Sequence, residues 1–234
     1  ARGEILVDEQ LRTSVPDIYA LGDAATVTNL VSGARQVIPL AGPANKQARI
    51  VADVICGKKA AYKGSIGTSV MKFFDMTVAA AGEKEESLRA SGPAFRKSYT
   101  VSASHAGYYP GGTQMFVKLL YSPEGRVLGA QIVGGEGVDK RIDALAIAIR
   151  FGMTVYDLEE MELAYAPPFS SAKDPVNMAG FVAQNLLEGN VELFYAEDVE
   201  SLPEDAVKLD VRNPEELAEL GEIPGFVNIP LNQL

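Results

Sequence analysis

Thr13-Ser14-Val15-Pro16-Asp17-Ile18-Tyr19-Ala20-Leu21-Gly22-Asp23 runs an apolar, extended stretch straight into a glycine and a carboxylate. A short strand over Ile18–Leu21 is predicted, with its carboxyl end delivering Asp23 into a crevice. Gly22 before it lets a ligand approach the backbone closely. A buried carboxylate in that place needs donors, and ligand hydroxyls would supply them. An isolated Gly-Asp pair more often only caps a turn, so the dipeptide alone leaves both readings open.

The neighbouring residues add context. Glu4–Asp8 reads as another strand, and Pro39-Leu40-Ala41-Gly42-Pro43 leads into a helix-like stretch from Ala44 to Ile55, stopped by Gly57. Further on, residues 113–121 and 127–133 read as strands joined by Ser122-Pro123-Glu124-Gly125, a β-hairpin. Ile142, Leu145, Ala146 and Ile149 recur at helical spacing up to Gly152, and Thr154 with Asp157 forms a capping box. A proline-rich loop, Tyr165–Asp174, precedes a helix from Pro175 to Leu187. In the last segment Val207–Val211 is a strand. Asn213-Pro214-Glu215-Glu216 opens a helix with an Asn cap, Pro at the first position and carboxylates near the positive end of the dipole.

These elements predict an α/β first segment (1–60), an α+β layer (61–189) and the start of a further α/β domain (190–234). The 234 residues carry a formal net charge of -10, which disfavours a nucleic-acid partner. Lys46, Arg49 and Lys173 remain candidates for a local anion site. With Cys56 as the one cysteine, no intrachain disulfide forms and a reducing cytoplasm is the default compartment. No apolar run is long enough to span a bilayer, and no metal-ligand cluster is read.

The eleven residues ending at Asp23 resemble the second FAD-binding motif of the two-dinucleotide-domain flavoprotein reductases. That resemblance implies that Asp23, beside Gly22, holds the ribityl chain of FAD. The run from Pro39 to Arg49 is similar to the helix start that faces the flavin pyrimidine edge in that family, implying backbone contacts from Leu40, Ala41 and Gly42. In that family the helix also borders the substrate pocket, which implies that Asn45 and Arg49 reach a coenzyme A group; as plain surface positions they have an equally good account.

Tyr165-Ala166-Pro167-Pro168-Phe169-Ser170-Ser171-Ala172-Lys173-Asp174-Pro175-Val176-Asn177 resembles the interface loop of coenzyme A-disulfide reductases. Two prolines fix its course and remove two N–H donors. The resemblance implies a homodimer through residues 61–189, with this loop, Pro168 included, reaching the partner's flavin. It implies a proton-donating role for Tyr165 near the redox sulfur, a coenzyme A contact for Lys173, and a second tyrosine from His105-Ala106-Gly107-Tyr108-Tyr109-Pro110-Gly111-Gly112. Tyr109 is slightly preferred over Tyr108 for that place. His105 reads more readily as a structural loop histidine.

Leu209–Glu216 and Gly221–Leu231 resemble the opening of a rhodanese domain, although Glu222 and Phe226 depart from its usual pattern. The resemblance as a whole implies NAD(P)H-dependent reduction of a disulfide, persulfide or polysulfide of coenzyme A. The phosphate-binding glycine fingerprint and the redox cysteine are missing, so the chain reads as a piece of a longer polypeptide. Cys56, at a helix carboxyl end, is a poor nucleophile. Two alternatives are an NADH oxidase reducing oxygen or peroxide, and an inactive dimerisation or docking module.

Overall fold

Short strands with few neighbours open the chain. The computed structural model describes residues 3–234. Strand β1 (Ile5–Leu6) pairs in parallel with β2 (Ala25–Thr28), and β2 pairs antiparallel with β3 (Arg35–Gln36). Ile18–Leu21, expected as a strand, makes only an isolated bridge between Tyr19 and Arg12. Its neighbour is the return of a tight loop, in which Leu11 and Asp17 have positive φ, rather than a sheet. The strand comes after the Gly-Asp pair, not before it. Helix α1 (Ala41–Ile55) buries Gln47, Val51 and Val54 on one face. It begins three residues earlier than the sequence implies, because Pro43 lies in the first turn, where no N–H is needed.

The next part is one antiparallel sheet with its two long helices on one face and a short helix on the other. Strands β4 (Ser69–Phe73) and β5 (Met76–Gly82) are followed by α2 (Glu85–Ser91), β6 (Arg96–Ala103), β7 (Gln114–Tyr121) and β8 (Val127–Gly134), in the order β4-β5-β8-β7-β6. The expected hairpin is β7–β8, paired from Met115 with Gly134 to Tyr121 with Val127. Helix α3 (Val138–Phe151) packs on β5 and β8, and α5 (Pro175–Leu187) on β6 and β7, with α4 (Val155–Glu160) against α5. Val117, Leu119, Ile132, Ile142, Leu145 and Ile149 are among the side chains filling the space between them, each at most 2% exposed. Burying one such aliphatic side chain contributes about 1.5–3 kcal/mol. The capping box of α4 is present: Asp157 accepts from Thr154 N–H at 2.6 Å, and Thr154 Oγ1 accepts from Asp157 N–H at 3.3 Å.

Among the described residues, Ser98 Oγ, Thr100 Oγ1 and Glu159 Oε1 are polar atoms that this packing leaves over. Glu159 Oε1 is buried without a hydrogen-bond partner. Burial, and then the charges of Glu188 and Glu160, push its carboxyl above the usual range. A carboxyl raised in the folded state favours folding when protonated, and that contribution is lost as pH rises through the raised value. Glu159→Gln should therefore raise the melting temperature at neutral pH and flatten its dependence on weakly acidic pH. An unchanged or lower melting temperature there would contradict this.

The chain divides into two compact units, the larger ending at Val191 and the smaller being Glu192–Leu234. In the smaller, β9 (Leu209–Asp210) pairs in parallel with β10 (Val227–Asn228) across α6 (Pro214–Leu220). Glu216 accepts from Asn213 N–H at 2.8 Å, as its helix-start pattern implies. Arg212 spans Asp210 and Gly221 O, at 2.6 Å and 3.0 Å, and braces the turn between strand and helix. Among the described residues no helix is long and apolar enough to cross a membrane.

Candidate functional site

Gly22 and Asp23 sit in a single 3-10 turn, Gly22–Ala24, with Gly22 at φ +67°. For any other L-residue that conformation costs about 1–2 kcal/mol. Asp23 is exposed there, which corrects the expectation of a buried carboxylate at the end of a strand. The turn is seated on α1: Gly22 N–H donates to Gln47 Oε1 at 2.7 Å, and a Cβ on Gly22 would meet Ala44 at 3.7 Å. Gln47 is 1% exposed and fixes this turn, yet nothing in its sequence context singles it out. Leu40 is the cap of α1, in extended conformation, and Ala41 and Gly42 are its first two residues. The carboxylate and the helix start are thus held together by one buried amide.

Asn45 and Arg49 lie exposed along α1. Asn45 donates back to Ala41 O at 2.9 Å, an interaction within its own helix. Lys46, not either of them, lines a cavity of about 490 Å³ that α1 and α3 share, with Gly42, Tyr62, Asp143 and Arg150. Cys56 caps the carboxyl end of α1 and its thiol is exposed.

The second group surrounds the double-proline loop. Tyr165 and Tyr108 place their hydroxyls 3.1 Å apart, and either oxygen can donate. Tyr108 thus contacts Tyr165, whereas the preferred Tyr109 stacks edge-on against His105 with ring centroids 5.5 Å apart. His105 is buried, its Nδ1 3.1 Å from Ala106 O, which is a loop-fixing role. Tyr165 and Pro168 line a further cavity of about 490 Å³ with His105, Glu136, Lys140 and Arg141. Lys140 donates to Ala164 O at 3.1 Å, holding the residue before Tyr165. The hydrogen bond with Tyr108, with lesser help from burial, raises the Tyr165 pKa above that of an ordinary phenol. Lys173 is exposed and does not line this cavity.

The loop ends on Asp174, the cap of α5. Its carboxylate accepts from Val176 N–H at 3.0 Å and from Ser170 Oγ at 2.6 Å, and pairs with Arg141 at 2.9 Å. Burial alone would raise its pKa. The bonds from Ser170, Val176 and Arg141 outweigh it and hold the carboxyl below the usual range. The cavity beside α1 and the cavity beside Tyr165 share no lining residue.

Both groups fall within stretches of known kinship. Residues 1–48 match the pyridine nucleotide-disulphide oxidoreductase model, and residues 68–175 match the dimerisation domain of the pyridine nucleotide-disulphide oxidoreductases. The larger unit belongs to the pyridine nucleotide-disulphide oxidoreductase family. The coenzyme A disulfide reductase of Staphylococcus haemolyticus is 40% identical over 187 residues, 79% of this chain and 42% of that one. The structure of reduced Bacillus anthracis CoADR-RHD matches with a TM-score of 0.93 and 46% identity, over 100% of this chain and 42% of that one. An NAD-dependent persulfide reductase from A. fulgidus matches with a TM-score of 0.89 and 39% identity, over 98% of this chain and 42% of that one. This oxidoreductase-family chain therefore spans about two fifths of the length of the relatives it matches.

Proposed function

We propose that this chain is the carboxyl-terminal part of an FAD- and NAD(P)H-dependent reductase that cleaves a disulfide or persulfide of coenzyme A. The observation that carries the reading is the Tyr108–Tyr165 hydroxyl pair at the double-proline loop. It joins two segments far apart in sequence at one cavity and leaves a phenol free to meet a ligand. Tyr165 then serves as proton donor to the sulfur that leaves as the sulfur–sulfur bond breaks. Tyr108 orients that hydroxyl. Lys173, exposed beside the loop, is assigned to the phosphates of the coenzyme A group, and Asn45 and Arg49 to its outer contacts.

The residues near the first turn of α1 fit a flavin. Asp23 offers an exposed carboxylate to hydroxyl donors, and Ala41 and Gly42, as the first two helical residues, have N–H groups without intrahelical acceptors. A Cβ on Gly42 would meet nothing within 4 Å, so that helix end is open to a ligand. When bound, flavin and nicotinamide supply the two electrons that sulfur–sulfur cleavage consumes. The dimerisation-domain match supports a homodimer in which Tyr165 and Pro168 of one copy meet the flavin of the other. The β-α-β arrangement of Glu192–Leu234 supports reading that unit as the start of a rhodanese-like domain, whose sulfane-sulfur chemistry favours a persulfide substrate.

The full-length polypeptide should be yellow and oxidise NADH or NADPH in the presence of coenzyme A disulfide or persulfide. Turnover with oxygen alone at an equal rate would instead favour an oxidase. Gln47→Leu leaves Gly22 N–H without its acceptor, a loss worth about 1–3 kcal/mol. Flavin retention should weaken about tenfold, read as free flavin after gel filtration; undiminished retention would remove Gln47 from the site.

A further inference from the structure

Arg141 lies in the first turn of α3, only 2% exposed. Its Nε donates to Asp174 Oδ2 at 3.1 Å, and its Nη1 to Gly137 O at 3.2 Å. Its Nη2 donates to Ser104 O at 2.9 Å, to Ser170 Oγ at 3.0 Å and to Phe169 O at 3.4 Å. Among the described residues Asp174 alone pairs with this charge, so the other acceptors need a separate reason. Buried ion pairs contribute little net stability over well-packed apolar side chains. What this one has beyond charge is reach.

Ser104 immediately precedes the loop of His105, Tyr108 and Tyr109. Phe169 and Ser170 close the turn that Tyr165 opens, with Phe169 N–H donating to Ala166 O at 2.8 Å. The two loops also touch directly, through Ala106 N–H to Ser170 O at 3.0 Å. At Gly137, with φ +74°, a Cβ would stand 2.2 Å from Arg141 Nη1, so glycine there leaves room for the guanidinium. We propose that Arg141 is the positioning residue of the tyrosine pair, its planar fork setting the spacing of the two loops and hence the 3.1 Å contact between the Tyr108 and Tyr165 hydroxyls. The consequence for turnover rests on the reading of Tyr165 given above; the geometric claim does not.

Arg141→Lys in the full-length flavoprotein keeps a cation for Asp174, but a single nitrogen cannot hold both loops. The ultraviolet tyrosinate titration of the parent, minus that of Tyr165→Phe, reports Tyr165 and its coupling to Tyr108. In the Arg141→Lys background this difference curve should move to lower pH. Turnover should fall about tenfold or more with KM for the nicotinamide unchanged, and Tyr108→Phe should cost less than it does in the parent. An unmoved curve with fully additive losses overturns the proposal. If Arg141→Lys does not fold, Ser170→Ala removes one Arg141 acceptor and should shift the curve the same way to a lesser degree; no shift there overturns it equally. A shifted curve together with parental turnover by Tyr165→Phe would leave the positioning role standing and sink the assignment of Tyr165 to sulfur cleavage.

Discussion

Tyr165→Phe in the full-length flavoprotein is expected to lower turnover of coenzyme A disulfide by about 10²-fold or more, with flavin still bound. A positioned proton donor contributes at least that much when the leaving group is otherwise charged. The ring remains, so the double-proline turn keeps its packing, and only the hydroxyl is lost. Tyr108→Phe should cost less, since Tyr108 touches the donor and not the sulfur. The pH profile carries a second signature. Only the protonated phenol can donate, and the hydrogen bond shared with Tyr108 holds Tyr165 above the ordinary phenol range. Turnover controlled by this group should hold across neutral pH and be lost on the alkaline side. Removing the Tyr108 hydroxyl should bring that alkaline loss to lower pH. Parental turnover by Tyr165→Phe would end the assignment.

How much of this was legible beforehand varies by element, for physical reasons. The α4 capping box and the β7–β8 hairpin could be read because their signals are local: a Thr three residues before an Asp, and turn residues between apolar runs. Strand β6, Arg-Lys-Ser-Tyr-Thr-Val-Ser-Ala, does not read as a strand, because its buried face includes Ser98 and Thr100, which give no apolar alternation. Strand β5 is hidden too, because its alanines carry no β signal, although Ala79 and Ala81 are 2% and 1% exposed. At the site, the double-proline loop and the Gly-Asp turn were visible as motifs. The groups that hold them were not. Gln47 looks like any helix glutamine until Gly22 is folded onto it. Arg141, in Lys-Arg-Ile-Asp, reads as a solvated face, because its acceptors at 104, 169, 170 and 174 are brought to it only by the sheet. Tyr108 and Tyr109, adjacent in a loop, cannot be ranked from sequence without the turn that orients them.

The buried carboxylate at the end of that loop should be the most costly residue of this region to remove. Asp174→Ala takes away the partner of Arg141, the cap of α5 and the acceptor of Ser170 at once, and breaking a buried pair from one side costs about 3–5 kcal/mol. Hydrogen exchange should rise first across residues 165–180, and the melting temperature should drop. Because Asp174 is held below the usual carboxyl range, its contribution is present above the unfolded value and is lost as pH falls through the lower, folded one. The parent should thus keep this contribution at neutral pH and lose it only in acid, a loss the variant cannot show. Asp174→Asn separates the parts, since Asn still caps a helix but leaves the guanidinium without its counter-charge. If charge is the main cost, adding Arg141→Met to Asp174→Asn should recover stability without recovering turnover. That split, stability returning while the tyrosines remain unaligned, is what distinguishes a guanidinium kept for geometry from one kept for folding. A double variant that recovered both would mean that the loops find their spacing without it.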